Sequence, residues 1–269
     1  MSTTQDAAPV YQKDLVPGSG ALIVSFSGLT GVFNEDRPFD FFMTTNVLGY
    51  NRIMVRDPDG SFYLKGIDAN GFDHLVSRLR DDIESIKPQR TIFIGPSSGA
   101  YAAVLFGHLL GADYVHAFAP RGHFRPLKAF LQRDFKSLIN RSPLMLKLPW
   151  NLPPEHRQYL DLKPLLQGGP KPQTKMVLHA CAYCIDARRV QYLADCPGIT
   201  IFLYPCDCHN VARVLVKSGC LLELLLEKNL DQPEEVYRAF YGDFKGNKNK
   251  KCCMATPGAC SKPPAASNG

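Results

Sequence analysis

No stretch of the sequence reaches the roughly 18 consecutive apolar residues that a membrane-spanning helix needs, so the sequence predicts no such helix. The first residues, MSTTQDAAPVYQKD, also lack the basic segment and apolar run of a secretory signal peptide. Internal repeats are absent and there is only one tryptophan. We therefore expect a cytoplasmic protein whose nine cysteines remain reduced thiols, since an odd number of cysteines does not complete a disulfide framework.

A strong excess of charge of one sign is also lacking. The net charge is +6, and much of it comes from lysines near the end of the chain, which are Lys245, Lys248, Lys250 and Lys251. Nucleic acid is therefore not an expected partner. With 45% apolar and 21% charged residues, the 269-residue chain has the composition of a globular protein. Nothing in it calls for a cofactor.

Segments typical of strands and of helices alternate along the chain. This order predicts an α/β fold with a mostly parallel sheet and helices on both of its faces. We expect a flexible segment over residues 1–18, one domain over 19–244, and a disordered basic tail over 245–269. Within the domain, residues 121–173 break the alternation, are rich in proline and amphipathic, and predict a helical cap inserted into the fold. Acylation of Cys252 or Cys253 beside the lysines would bring the tail to a membrane, but a plain flexible tail is the favoured interpretation.

One short motif carries most of the chemical information. In TIFIGPSSGAYAAVLFG (residues 91–107), a predicted strand runs into Gly-Pro-Ser-Ser-Gly and then into a predicted helix. Gly95 and Gly99 flank Ser97 at the two positions where a side chain would clash in so tight a turn. This context favours Ser97 as a nucleophile over a serine that merely caps the next helix.

A serine hydroxyl attacks at neutral pH only when a base takes its proton and a carboxylate orients that base. In a parallel sheet these groups belong at the carboxyl ends of the strands. Asp186 and His209 both follow late predicted strands, which makes them the predicted acid and base. Asp57 and Asp207 remain alternative acids. The backbone N–H groups of Ser98 and, after the early strand, Leu29 are the predicted oxyanion donors.

The chain resembles the α/β-hydrolase superfamily over roughly residues 21–226, since it has the Gly-x-Ser-x-Gly turn, an early strand with a small-residue loop, a late Asp and a later His. GPSSGAYAAVLFGHLLGADYVHAFAPRG, NRIMVRDPDGSFYLKGI and YLDLKPLL are similar to a poorly characterised bacterial-type subgroup of it. The resemblance implies Ser97 as nucleophile, Asp186 as acid and His209 as base, and implies nothing about the substrate. Pro96, Ala100 and Ala119 depart from the subgroup's pattern without removing a catalytic group, and the lipase-type His-Gly-Gly-Gly motif is missing.

These observations predict a serine hydrolase that cleaves a carboxylic ester or thioester through an acyl-enzyme, or an acyltransferase with the same triad. A small acyl compound is the expected partner, and the predicted contacts from the cap are His123, Phe124, Arg125 and Trp150. His179 lies inside a predicted strand and is expected in the core. A non-catalytic binding protein with a hydrolase-like fold is the alternative from another class.

A zinc site is a further alternative. Cys181, Cys184, Cys206, Cys208 and His209 all fall near the ends of two predicted neighbouring strands, and thiolates with imidazole bind zinc. The Cys-x-Cys spacing is poor for a zinc knuckle, so buried thiols without a metal are the favoured interpretation.

Overall fold

The computed structural model describes residues 9–29, 39–135, 142–168 and 174–242. The predicted tail, with Cys252 and Cys253, lies outside them, as do 136–141 and 169–173 of the predicted cap. The strands are β1 (Tyr11–Asp14), β2 (Ala21–Phe26), β3 (Asn51–Val55), β4 (Arg90–Pro96), β5 (Tyr114–Phe118), β6 (Lys175–Cys181) and β7 (Ile199–Tyr204). The α-helices are α1 (Phe42–Asn46), α2 (Gly71–Ile86), α3 (Ser98–Leu110), α4 (Pro126–Leu131), α5 (Ser142–Asn151), α6 (Leu162–Gln167), α7 (Ile185–Gln191), α8 (Val211–Ser218), α9 (Cys220–Leu225) and α10 (Pro233–Tyr241).

The strands form a sheet of order β1-β3-β2-β4-β5-β6-β7, in which only β1 runs antiparallel to its neighbour. Side chains alternate across it: on β2, Leu22 and Val24 join one apolar core, while Ala21 and Ile23 join the other. Helices α2, α3 and α7 contribute to the first core, and α8 and α9 to the second. The predicted α/β fold with a mostly parallel sheet covered on both faces is thus confirmed.

Two local expectations need correction. Residues 1–18 were expected to be flexible, but Tyr11–Asp14 pairs with β3, and the Tyr11 hydroxyl donates to Asp82 at 2.6 Å. The sequence HNVARVLVKSGCLLELLLEKN (residues 209–229) is typical of one helix, yet Gly219 adopts φ 79° and divides the segment into α8 and α9. Glycine adopts that backbone conformation at little cost, so the helix ends there.

The predicted cap region contains α4, α5, a 3₁₀ helix (Pro154–Leu160) and α6. It packs against the face of α2 and α3: the Tyr101 hydroxyl donates to the Tyr159 carbonyl oxygen, and the Tyr159 ring stacks on Phe72. Among the residues that the structure describes, none of the helices combines the length and the apolar character needed to cross a bilayer.

Two buried histidines connect β5, β6 and β7, the last three strands in the order of the sheet. His116 Nδ1 lies 3.1 Å from His179 Nε2, and His179 Nδ1 lies 2.7 Å from the Tyr204 hydroxyl oxygen. Burial lowers the pKa of His116 to about 4. Burial, with the charge of His116, also holds the pKa of His179 well below its usual range. His179 has no exposed surface, which confirms its predicted place in the core.

Acid is expected to destabilise the fold through these two histidines. Both pKa values are lower in the folded chain than the unfolded value of about 6.5, so unfolding takes up protons below that pH. The contribution of the two histidines to the free energy of unfolding is therefore complete above about pH 6.5. It is lost as the pH falls towards the folded pKa values, by about 1.4 kcal/mol per pH unit for each histidine. Urea unfolding at a series of pH values measures this slope. His116→Gln should reduce it and His74→Gln, with a side chain 45% exposed, should not; an unchanged slope in His116→Gln would contradict the assignment.

Candidate active site

Ser97 occupies a sharp turn between β4 and α3. Its backbone has φ 53° and ψ −110°, a conformation that residues with a side chain rarely adopt. Its N–H donates to the Phe118 carbonyl oxygen on the neighbouring strand at 2.8 Å, which fixes the turn to the end of the sheet. The strand–turn–helix context predicted from the motif is therefore present around Ser97.

Both flanking glycines are required because neighbouring main chain lies too close to leave room for a side chain. A Cβ on Gly95 would overlap the Gly99 carbonyl group, and a Cβ on Gly99 would overlap the Phe26 carbonyl group at the end of β2. Because each of these obstacles is backbone, no rotation of a side chain relieves them. The two small residues let α3 begin directly against β2 and β4.

Gly99→Ala is therefore expected to lower the free energy of unfolding by about 3 kcal/mol, because β2 and α3 must separate to admit the methyl group. Any activity that depends on the turn should fall about 100-fold, since a shift of about 1 Å misaligns reacting groups. Gly111→Ala is the matched control: Gly111 has φ 65° but open space around it, and the change should cost only about 1 kcal/mol and leave activity intact. Thermal unfolding and ester hydrolysis measure the two effects, and equal losses in both variants would contradict the steric argument.

Three side chains from distant parts of the chain meet at this turn. His209 Nε2 lies 3.0 Å from Ser97 Oγ, and His209 Nδ1 lies 2.6 Å from Asp186 Oδ2. The Asp186 side chain is only 1% exposed, whereas that of His209 is 50% exposed. The predicted nucleophile, base and acid are thus brought into one hydrogen-bonded chain that runs from solvent to a buried carboxylate.

An arginine holds the second oxygen of that carboxylate. Arg189 Nη1 donates to Asp186 Oδ1 at 2.8 Å, and its Nε and Nη2 donate to Asp134 at 2.8 and 3.1 Å. Burial alone would raise the pKa of Asp186, but the hydrogen bond and charge of His209 and the charge of Arg189 outweigh burial and leave that pKa lowered. Asp186 therefore stays ionised and oriented towards His209.

The two alternative acids lie in other surroundings. The Asp57 carboxylate accepts from the N–H of Tyr63 at 2.8 Å and of Asp59 at 3.1 Å, and so closes its own turn after β3. Asp207 is an exposed residue, although it is only two positions from His209. Asp186 is the carboxylate bonded to the imidazole.

The loop after β2 was predicted to supply an oxyanion donor. Its Gly28 N–H already donates to Asp40 Oδ2 at 2.8 Å, and the Asp40 N–H donates to Ser27 Oγ at 3.1 Å. Burial raises the pKa of Asp40, although the Gly28 hydrogen bond opposes this. Leu29, the predicted donor, follows Gly28 and is partly buried, and Ser98 begins α3. Their N–H groups as oxyanion donors stay a prediction.

The four predicted cap contacts fall into two groups. Phe124 has no exposed surface and packs edge-on against Phe62 and Tyr101, so it is a core residue. His123 is 3% exposed, and burial, the largest influence on it, lowers its pKa to about 4. A substrate would reach these two only if the packing opened. Arg125 and Trp150 are exposed, and they remain the accessible members of the predicted set.

The cysteines near the site depart from expectation. Cys181 and Cys206 are joined in a disulfide, so the prediction that all thiols stay reduced is wrong for this pair. The two strand ends lie side by side because β6 pairs with β7. The sulfur atoms of Cys181, Cys206 and Cys208 lie within 4.8 Å of one another. Both ring nitrogens of His209 are in hydrogen-bonding contact with Ser97 and Asp186, so the structure does not show His209 as the zinc ligand of the alternative interpretation.

Sequence reasoning missed Arg189, Asp134 and Asp40. The three-residue spacing of Asp186 and Arg189 on one helix was a usable signal, since such residues are neighbours on its surface. Asp134 lies 55 positions from Arg189, and no local pattern marks it. Asp40 contacts the loop after β2, and the two are separated in the chain by residues 30–38, which lie outside the described residues.

No protein-family model matches the chain, and a search of curated proteins found no match either. Solved structures do resemble it. One is the glycosylation-associated Gap123 complex of Streptococcus agalactiae, with TM-score 0.55 and 18% identity; the match covers 87% of this chain and 45% of that one, so the chain spans less than half its length.

Two further structures match over most of their own length. The capsule O-acetyltransferase of Neisseria meningitidis serogroup A has TM-score 0.53 and 12% identity, covering 79% of this chain and 90% of that one. A putative esterase from Staphylococcus aureus has TM-score 0.51 and 11% identity, covering 72% and 70%. At these identities the likeness concerns the fold alone, which is a mostly parallel sheet with helices on both faces.

Proposed function

We propose that the protein is a serine acyl hydrolase that cleaves a carboxylic ester or thioester. The observation that carries the proposal is the hydrogen-bonded chain from Ser97 Oγ through His209 to Asp186, with distances of 3.0 and 2.6 Å. Similarity in fold to a putative esterase and to an O-acetyltransferase supports ester chemistry at the carboxyl ends of the strands.

In the proposed reaction, Ser97 Oγ attacks the substrate carbonyl carbon while His209 Nε2 takes the hydroxyl proton. The imidazolium that forms is stabilised by the ionised Asp186, whose burial keeps water from competing for His209 Nδ1. Arg189 fixes the other carboxylate oxygen, so Asp186 does not rotate away from the ring. These groups are already in hydrogen-bonding contact in the structure, which lowers the reorganisation needed for attack.

The negative oxygen of the tetrahedral intermediate needs preformed donors. The Ser98 N–H, at the start of α3, and the Leu29 N–H are the proposed pair of donors. The positive end of the α3 dipole also stabilises a negative oxygen at this place. His209 then returns its proton to the departing alcohol or thiol. Water, activated by His209, cleaves the acyl-enzyme and restores Ser97.

The cap supports an acyl group as part of the substrate. Its described residues include six large apolar side chains that are exposed, which are Leu127, Phe130, Leu131, Phe135, Leu146 and Trp150. The same segment carries Asp134, which bonds Arg189 and so connects the cap to the proposed acid. Exposed apolar surface on the segment that bonds the arginine partner of the proposed acid favours a substrate with a hydrocarbon portion.

A fluorophosphonate probe tests the proposal, because it reacts covalently with an activated serine. We expect one adduct per folded molecule, found by mass spectrometry on the peptide that contains Ser97. Heat-unfolded protein should not react, since the hydrogen bonds that activate the hydroxyl are lost. Folded protein that takes up no probe would favour the non-catalytic binding alternative.

Acyl transfer to an alcohol is the second candidate. The His209 side chain is half exposed, so the base is accessible to an acceptor hydroxyl as well as to water. A similar fold occurs in a capsule O-acetyltransferase whose mutant structure contains CoA. Turnover of acetyl-CoA in the presence and absence of glycerol distinguishes the two: a transferase gives acetylglycerol in excess over acetate, and a hydrolase gives acetate.

A further inference from the structure

A group of three cysteines lies directly behind the proposed catalytic residues. Cys181 ends β6, and Cys206 and Cys208 follow β7. Cys181 is bonded to Cys206, and Cys208 Sγ lies 3.8 Å from Cys181 Sγ. The three sulfur atoms, here named the thiol cluster, all lie within 4.8 Å of one another. A third sulfur this close to a disulfide is within reach of thiol–disulfide exchange, once a rotation of the Cys208 side chain places its sulfur in line with the Cys181–Cys206 bond.

We propose that the thiol cluster is a redox modification site in which Cys208 exchanges with the Cys181–Cys206 disulfide. Cys208 loses its proton and attacks Cys181 Sγ, so that a Cys181–Cys208 bond forms as the Cys181–Cys206 bond breaks. The electron pair of the broken bond leaves on Cys206, which takes up a proton. Because one disulfide forms as another breaks, the exchange involves no net oxidation and needs no external oxidant. A small dithiol would convert either bridged form into three thiols and itself become a disulfide.

The neighbouring Cys184 is excluded as the attacking group. Three acceptors surround its Sγ and share its single S–H: the carbonyl oxygens of Cys181 at 3.5 Å and Cys208 at 3.7 Å, and Asp186 Oδ2 at 3.5 Å. Burial and the negative charge of Asp186 raise the pKa of the Cys184 thiol to about 12. It therefore stays a protonated donor that connects the segment around Cys208 to the proposed acid.

The exchange is coupled to the proposed triad through one peptide bond. Forming the new disulfide requires the Cys181–Cys208 distance to shrink from 3.8 Å to about 2.0 Å. Cys208 is followed at once by His209, whose Nε2 lies 3.0 Å from Ser97 Oγ. A displacement of about 1 Å at reacting groups costs about 100-fold in rate, so the choice of disulfide partner regulates the site. This regulatory part rests on the proposed function, whereas the exchange itself does not.

Disulfide mapping tests the exchange without any substrate. The full-length protein is equilibrated with oxidised and reduced glutathione, quenched in acid, alkylated and analysed by mass spectrometry. Wild-type protein should yield both the Cys181–Cys206 and the Cys181–Cys208 peptides. Cys206→Ser should yield only the second, Cys208→Ser only the first, and Cys196→Ser, buried outside the cluster, should match wild type. Absence of a Cys181–Cys208 bridge in folded Cys206→Ser, or stoichiometric zinc with all three thiols reduced in wild type, would overturn the proposal.

Probe labelling of Ser97 then tests the coupling. Oxidised Cys206→Ser should react with the fluorophosphonate about tenfold or more slowly than oxidised Cys208→Ser. Dithiol treatment should remove the difference, and circular dichroism verifies that both variants are folded. Equal labelling rates in the two oxidised variants refute the regulation. If the bridges exchange but no form is labelled, the proposed function fails while the redox site stands.

Discussion

Replacing Ser97 with alanine is expected to lower kcat/KM for an activated ester by on the order of 10³ to 10⁶-fold. The hydroxyl is the group that His209 contacts at 3.0 Å, and alanine leaves nothing in its place to attack a carbonyl. Residual turnover would come from water oriented by His209 and from the proposed oxyanion donors. Steady-state hydrolysis of a p-nitrophenyl ester measures the loss, and the same variant should no longer take up a fluorophosphonate.

The fold should survive this change. Ser97 holds a strained backbone at φ 53° and ψ −110°, and alanine pays the same cost. Ser97→Gly is the informative companion, because glycine adopts that conformation freely and should raise the free energy of unfolding by about 1 kcal/mol while remaining inactive. If Ser97→Ala kept the wild-type rate, the nucleophile would be another residue.

Asp186→Asn is expected to lower kcat by on the order of 10⁴-fold. The substitution preserves the size of the side chain but removes the charge that stabilises a protonated His209. It also lets an amide N–H₂ face His209 Nδ1, which favours the wrong tautomer of the ring. Because the acid is 1% exposed, water does not replace the lost partner. Arg189 would lose its ion pair with Asp186, so a drop in thermal stability should accompany the loss of rate.

Asp207→Asn is the control for this prediction. Asp207 is only two positions from His209 and was an alternative acid, but it is exposed, and Asp186 is the residue bonded to the ring. The kcat of Asp207→Asn should remain within about twofold of the wild-type value, as for most surface substitutions. The reverse ranking, with Asp207→Asn inactive and Asp186→Asn active, would transfer the role of acid to Asp207.

Much of the fold and the candidate site followed from local patterns. The apolar strands alternate with helical segments, which predicted the parallel sheet. Gly95 and Gly99 marked the tight turn because only glycine tolerates such close backbone contact. The positions of Asp186 and His209 after late strands sufficed to propose that they meet Ser97, since parallel strands end at one edge.

Other features depend on contacts between distant segments. The pairing of Cys181 with Cys206 requires β6 and β7 to be neighbours in register, which no spacing rule supplies. The bond between Asp134 and Arg189 depends on how the cap packs against α7. Phe124 looked like a substrate contact because its segment is amphipathic, and only tertiary packing shows that it faces the core.

Substitutions at different positions of the turn around Ser97 have different consequences. A substitution at Gly95 or Gly99 collides with neighbouring main chain, so it endangers shape and chemistry together. Ser97→Ala removes a hydroxyl and is expected to leave the scaffold whole. Under the proposed function, one codon change at this position in a duplicated gene would therefore turn a catalyst into a folded protein that retains its binding surfaces.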